Sequence, residues 1–274
     1  MNLDKLAGVV NWRRDASILR LESDGLELAN PDFGGRFRGS VTVPDKGEPV
    51  LDVQGLYHDV RVGQAGRYLP VTVIPPEGLA WLDRALAAGR VVAGELVFRG
   101  PPGDFPFDRG EGFFEARFQV EDGVLDYAPG WPRLDRLRAT VTFRNRGLRV
   151  EAESGRLVDA EMQGATAWID DLENPVVQIR GRAKGSSAGM WRALRDSPMG
   201  RELGDDLPDL RFTGANTLDL QLTIPTDARP NRARGRVGLL DGSLNLANWN
   251  VELGRLRGEV RFTEAGLEAR DVRA

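Results

Sequence analysis

Cysteine is absent from the 274 residues. That excludes disulfides and thiolate metal sites. It suits an oxidising compartment such as the bacterial periplasm, although many cytosolic proteins share the trait. Histidine occurs once, at His58, and a lone imidazole without thiolates cannot assemble an ordinary zinc site. Lysine is confined to Lys5, Lys46 and Lys184, so nearly all positive charge is arginine. A compositional bias accounts for this better than anion recognition by arginine forks. The 37 basic and 41 acidic residues are interspersed and leave a formal net charge of −4. A nucleic-acid partner would call for a basic stripe, so none is expected. No stretch approaches the roughly 18 apolar residues of a membrane span, and the N-terminus has no secretory pattern. Phosphate loops, dinucleotide fingerprints and metalloprotease helices are missing as well. The length admits one large domain or two and a substantial core. Ala274 follows closely on a strand-like segment, which reads as a piece cut from a longer protein.

What is present repeats itself. Residues 117–150 align without a gap on residues 236–269, with 13 of the 34 positions identical. Asp122-Gly123 falls on Asp241-Gly242, and Arg136-Leu137-Arg138 falls on Arg255-Leu256-Arg257. A partial third copy starts at Asp24-Gly25. Self-similarity of this kind indicates a stacked or extended architecture. The dominant period is two: Ala116, Phe118, Val120; Leu137, Ala139, Val141, Phe143; Leu148, Val150; Val177, Ile179; Leu218, Leu220, Leu222; Val260, Phe262. Such alternation means strands with one dry and one wet face. Asp24-Gly25, Asp122-Gly123, Asn145-Arg146-Gly147, Asp241-Gly242 and Ala265-Gly266 read as hairpin turns between antiparallel strands. Pro75-Pro76-Glu77 opens a helix carrying Leu79, Leu82 and Leu86, near residues 76–88, with Gly89 as its stop. A second helix is expected from Ala188 to Arg195.

Several constellations carry less than they suggest. Gly185-Ser186-Ser187-Ala188-Gly189 matches the nucleophile-elbow pattern, but the required histidine should follow the serine and His58 precedes it. A linker between strand and helix accounts for the cluster better. Asp205, Asp206 and Asp209 lack the spacing of a calcium loop. Carboxylate pairs such as Glu111 and Glu115 single out no glycosidase cleft. There remains the apolar face. Few helices are available to cover so many one-sided strands, and a curved sheet with such a face makes a trough for acyl chains. Each buried CH₂ is worth about 0.8 kcal/mol there.

Further residues carry a family likeness. Tyr68-Leu69-Pro70, Pro75-Pro76, Trp81-Leu82, Arg99-Gly100-Pro101 and Phe105-Pro106-Phe107 form its first part. Gly110-Glu111-Gly112, Phe114-Glu115, Asp126-Tyr127-Ala128-Pro129, Trp131-Pro132 and Phe143-Arg144-Asn145 complete it. Over about residues 68–183 the chain resembles the YhdP family of AsmA-like, bridge-like lipid-transfer proteins. The resemblance implies a part of a periplasmic protein, anchored in the inner membrane, that moves phospholipid toward the outer membrane through a hydrophobic groove. On that likeness, the family's membrane anchor and the remainder of a full-length chain are expected to lie outside this stretch. The resemblance carries groove roles to Phe118, Val120, Leu125, Tyr127, Val141 and Phe143. The same inward parity adds Leu148, Val150, Met162, Ile179, Leu220, Leu222, Leu239, Leu246, Val260 and Phe262.

The expected fold is therefore mainly β: an elongated, curled antiparallel β-sheet forming a hydrophobic groove, with two short helices. Its segments are residues 1–66, a signature segment over 67–185, and 186–274 with a short helix followed by a β-repeat. The expected ligands are phospholipid acyl chains, with no cofactor, no metal and no catalytic residue. The sequence names no protein partner. One alternative is a closed β-sandwich serving structure or protein interaction. Another is a β-rich carbohydrate enzyme with Trp131 or Trp249 as an aromatic platform.

Overall fold

The computed structural model describes residues 3–63, 76–198, 210–246 and 250–274. Tyr68-Leu69-Pro70, Pro75, Asp205, Asp206, Asp209 and Trp249 lie outside them. The chain forms β1 (Lys5–Gly8), β2 (Asn11–Asp15), β3 (Ile18–Asn30), β4 (Phe33–Pro44), β5 (Val50–His58), β6 (Val60–Arg61) and α1 (Pro76–Ala85). There follow β7 (Leu86–Gly100), β8 (Phe113–Leu125), β9 (Leu134–Arg144), β10 (Gly147–Leu157), β11 (Ala160–Ile169), β12 (Val176–Ser186) and α2 (Ser187–Arg195). The last strands are β13 (Leu210–Pro225), β14 (Arg232–Leu246), β15 (Val251–Thr263) and β16 (Gly266–Arg273).

All strands belong to one antiparallel sheet. β1 and β2 lie end to end along β3, pairing with residues 26–29 and 18–22 respectively. β5 and β6 likewise lie end to end along β7. Every other strand neighbours the next in sequence, so the sheet is an uninterrupted meander of fourteen strand positions. At ~4.8 Å per strand this makes a ribbon about 60 Å long. It is open: β1 and β2 form one edge and β16 the other.

The Asp-Gly pairs do not turn the chain. Asp24-Gly25, Asp122-Gly123 and Asp241-Gly242 lie inside β3, β8 and β14, where they make β-bulges. Val120 faces Ala139, but Gly123 then faces Leu137 and Leu125 faces Leu134. β8 therefore gains a residue at Asp122, and β9 gains one back at Arg136. Both extra residues are left-handed, with φ of 51°. The second copy repeats this register: Leu239 faces Gly258, Gly242 faces Leu256, and Leu244 faces Leu253. Its left-handed residues are Asp241 (φ 62°) and Arg255 (φ 53°). The sequence repeat is thus a double-bulged strand pair. A bulge bends its strand and sharpens the twist, and two opposed bulges restore the register that one alone would shift. Asn145 and Ala265 do lie at hairpin turns, as expected.

The helices also differ in detail from the expectation. α1 ends at Ala85, and Leu86 through Gly89 begin β7, with Leu86 facing Leu125. Gly89, expected as a helix stop, is a strand residue with φ of 130°. Strand pairing overrides local helix preference there. α2 starts one residue earlier than expected, capped by the Ser186 hydroxyl, which accepts from the Gly189 amide at 2.9 Å.

A left-handed β-branched residue costs about 1–2 kcal/mol. Arg136→Val should therefore lower stability by about that much, while Arg136→Gly should be neutral or stabilising. Urea midpoints followed by circular dichroism check the difference.

Candidate functional site

Cross-strand pairing defines the apolar face row by row. Leu28 faces Gly35, Gly35 faces Tyr57, Tyr57 faces Gly94 and Gly94 faces Phe118. From Phe118 the same row continues through Val141, Val150, Ala167, Ile179 and Leu222. The next row runs through Val120, Ala139, Ala152, Ala165, Gly181, Leu220, Gly235 and Phe262. Opposed residues share a face. The register thus puts every residue of the expected groove set on this face except Tyr127. β8 ends at Leu125, and Tyr127 lies beyond it, its carbonyl accepting a 2.9 Å bond from the Trp81 indole of α1.

Among the described residues, little covers this face. Val120 and Phe143 are buried, whereas Phe118, Val141, Val150, Ile179, Leu220, Leu222, Val260 and Phe262 stay partly exposed. Among the described residues there is no second sheet layer. The accessible surface is 17082 Å², against ~11,700 Å² for a compact monomer of this mass.

The two rims are built differently. Along one, residues 101–112 fold back so that Phe105 and Phe107 join Phe98 and Phe114, with ring centroids 5.3–6.1 Å apart. Phe143 and Leu172 complete this buried cluster. Arg146 ties the rim outside, pairing with Asp108, with Asp171 at 3.2 Å and with Glu173 at 3.4 Å. Along the opposite rim stand α1 and α2, with Trp191 of α2 5.6 Å from Phe212 at 57°. The apolar rows run between these rims as a trough. Its floor is kept low by glycine: the Phe37 ring lies over Gly55, Tyr57 over Gly94 and Phe262 over Gly235, where any Cβ would strike the ring. This flattening of aromatics onto cross-strand glycines stabilises a sheet. Sequence reasoning missed Tyr57 and the rim phenylalanines as parts of the site. The glycine-opposite-aromatic pattern would have flagged Tyr57 once the register was known.

The other candidates have structural roles. Ser186 caps α2 and hydrogen-bonds Asp159, and Ser187 is buried against Asn216. His58 is exposed and pairs with Asp59 at 2.8 Å. Trp131 packs on Tyr127 at 6.5 Å. Lys5 beside Glu27, Arg229 beside Asp227 and Arg261 beside Glu259 hold those carboxyls below their usual range. A general acid would need the reverse. A hollow of about 810 Å³ is lined by residues of both parities: Arg180, Arg182, Asp219, Gln221, Arg234 and Arg236 from the polar rows, and Ala165, Gly181, Leu220, Gly235 and Phe262 from the apolar one. Arg234 bonds Gln221 at 2.9 Å and Arg236 pairs with Asp219 at 3.4 Å there.

A family model described as YhdP protein matches residues 1–274. The chain belongs to the YhdP family. A relative from Escherichia coli (strain K12), the intermembrane phospholipid transporter YhdP, is 24% identical over 265 residues, covering 97% of this chain and 21% of that protein. The chain therefore spans about a fifth of that relative's length. No solved structure matches. For this YhdP-family chain the apolar trough is the feature whose chemistry fits a lipid.

Two measurements check the trough's construction. Overpacking costs about 1–3 kcal/mol. Gly94→Ala should lower stability by that order, and most of the loss should vanish in a Tyr57→Ala background, as urea midpoints of the double-mutant cycle would show. Burial pushes the Tyr57 and Tyr127 phenols up to about 12, with Glu95 adding to the effect at Tyr57. The folded state then holds protons that the unfolded chain releases near pH ~10. Stability should be unaffected by these groups below that pH and fall as pH rises toward 12. Alkaline absorbance titration should show both phenols ionising late.

Proposed function

We propose that this chain is a segment of a periplasmic bridge-like protein that carries phospholipids between the inner and outer membranes along its apolar trough. The observation that carries the reading is the continuity of the apolar rows, strand after strand, with no second layer over them among the described residues. Family membership and the transporter name of the Escherichia coli relative support it. In this reading the full-length protein is anchored in the inner membrane and reaches the outer one.

The mechanism is partition. Acyl chains leave water for the floor formed by Phe118, Val141, Val150, Ile179, Leu222 and their neighbours, gaining ~0.8 kcal/mol per buried CH₂. Rows of similar aliphatic side chains make successive positions nearly equal in affinity, so lipid moves by diffusion without a deep trap. No cofactor and no covalent step enters. The single-layer sheet of the described residues speaks against a closed sandwich.

Lipid extracted from the purified protein and identified by mass spectrometry tests the proposal. Val141→Asp and Leu220→Asp each place an unpaired carboxylate on the track, which is costly to bury beneath lipid. Lipid occupancy should fall more than about tenfold in variants shown to be folded. Full occupancy in those variants, or no lipid on the folded parent protein, would overturn the reading.

A further inference from the structure

At the helical rim, the apolar rows end against a slot of about 270 Å³ between α2 and the start of β13. Trp191, Leu210 and Phe212 give it an apolar side, and Arg192, Arg195 and Arg211 line it as well. Leu210 and Phe212 continue directly into the apolar face, facing Leu246 and Leu244 across the register. The three arginines are exposed. Arg195 pairs with Asp196 at 3.2 Å, whereas Arg192 and Arg211 have neither an ion pair nor a side-chain hydrogen bond among the described residues. That contrasts with the rim across the trough, where Arg146 is held by three carboxylates.

We propose that this slot receives the phosphate of a diacyl lipid whose tails lie on the apolar face. The inference rests on the lipid-carrying reading and adds a seat for the head group to it. An apolar wall joined to unpartnered guanidinium groups fits an amphiphile with an anionic head, because a guanidinium fork matches phosphate geometry. The volume suits a head group rather than a whole lipid, lying at the small end of ligand pockets. The negative end of the α2 dipole lies nearby and amounts to about half a charge. The guanidinium groups of Arg192 and Arg211, without an ion pair among the described residues, outweigh it. Bound phosphate at the rim leaves the tails free to slide along the floor.

Calorimetric titration of the whole chain with three probes tests the site: dihexanoyl phosphatidic acid, dihexanoylglycerol and inorganic phosphate. The phosphate-bearing lipid should bind about tenfold tighter than the neutral one. Arg192→Gln with Arg211→Gln should abolish that preference, and lysine at both positions should restore much of it. Because both residues are exposed, the variants should keep the parent thermal midpoint. Equal affinity for the two lipids in the parent protein, or a preference that survives the double glutamine change, would overturn the proposal. So would inorganic phosphate binding as tightly as the lipid, which would mark a free-anion site. Dihexanoylglycerol binding retained in every variant would leave the lipid-carrying reading standing while this one fails. Failure of the parent protein to bind either lipid would sink both.

Discussion

A β-sheet one layer thick leaves half of its side chains without protein to pack against. In this chain one face carries Leu, Ile, Val, Phe, Tyr, Ala and Gly, in one row from Leu28 to Leu222 and a second from Val120 to Phe262. Water against such a face is unfavourable by roughly 25 cal/mol for every Å² left exposed. An ordinary domain resolves the conflict with a second sheet or a helix layer. Here the rim cluster around Phe107 and Phe114 and the two short helices cover only the margins. The exposed centre is the constraint from which the shape, the surface area and the functional reading follow.

The bulges show how the ribbon keeps that centre continuous. A single extra residue in β8 would shift its register against β9 by one. The matching extra residue in β9 lets Gly123 meet Leu137 and Leu125 meet Leu134 with the apolar rows intact. The same device recurs in β14 and β15. Aspartate suits the left-handed position better than most residues, which explains why Asp122-Gly123 and Asp241-Gly242 are the most visible parts of the repeat. Repetition here preserves a bend together with a surface.

The alternation of Phe118, Val120, Val141 and Phe143 made the dry face legible from residue types alone, because a period of two has one physical meaning. The Asp-Gly pairs misled because left-handed Asp followed by Gly serves hairpin turns and strand bulges equally well. Strand length decides between them, and β3, β8 and β14 run for 13, 13 and 15 residues. Tyr127 was assigned to the face by extending parity past Leu125, where the strand had already ended. The start of β7 at Leu86 carries no local signal, since pairing with Leu125 alone selects strand over helix. The Phe105–Phe107 rim has no periodicity, so its packing could not be read before its fold.

The central claim is that one face of the sheet, and not the other, touches lipid. A photoreactive amino acid placed at Ile179 or Leu222, and separately at Gln178 or Gln221, tests this most directly, because the two sets lie on opposite faces of β12 and β13. After irradiation with phospholipid vesicles, the account predicts lipid adducts at Ile179 and Leu222 and none at Gln178 or Gln221. Equal labelling of both sets, or labelling of the glutamine positions alone, would contradict it.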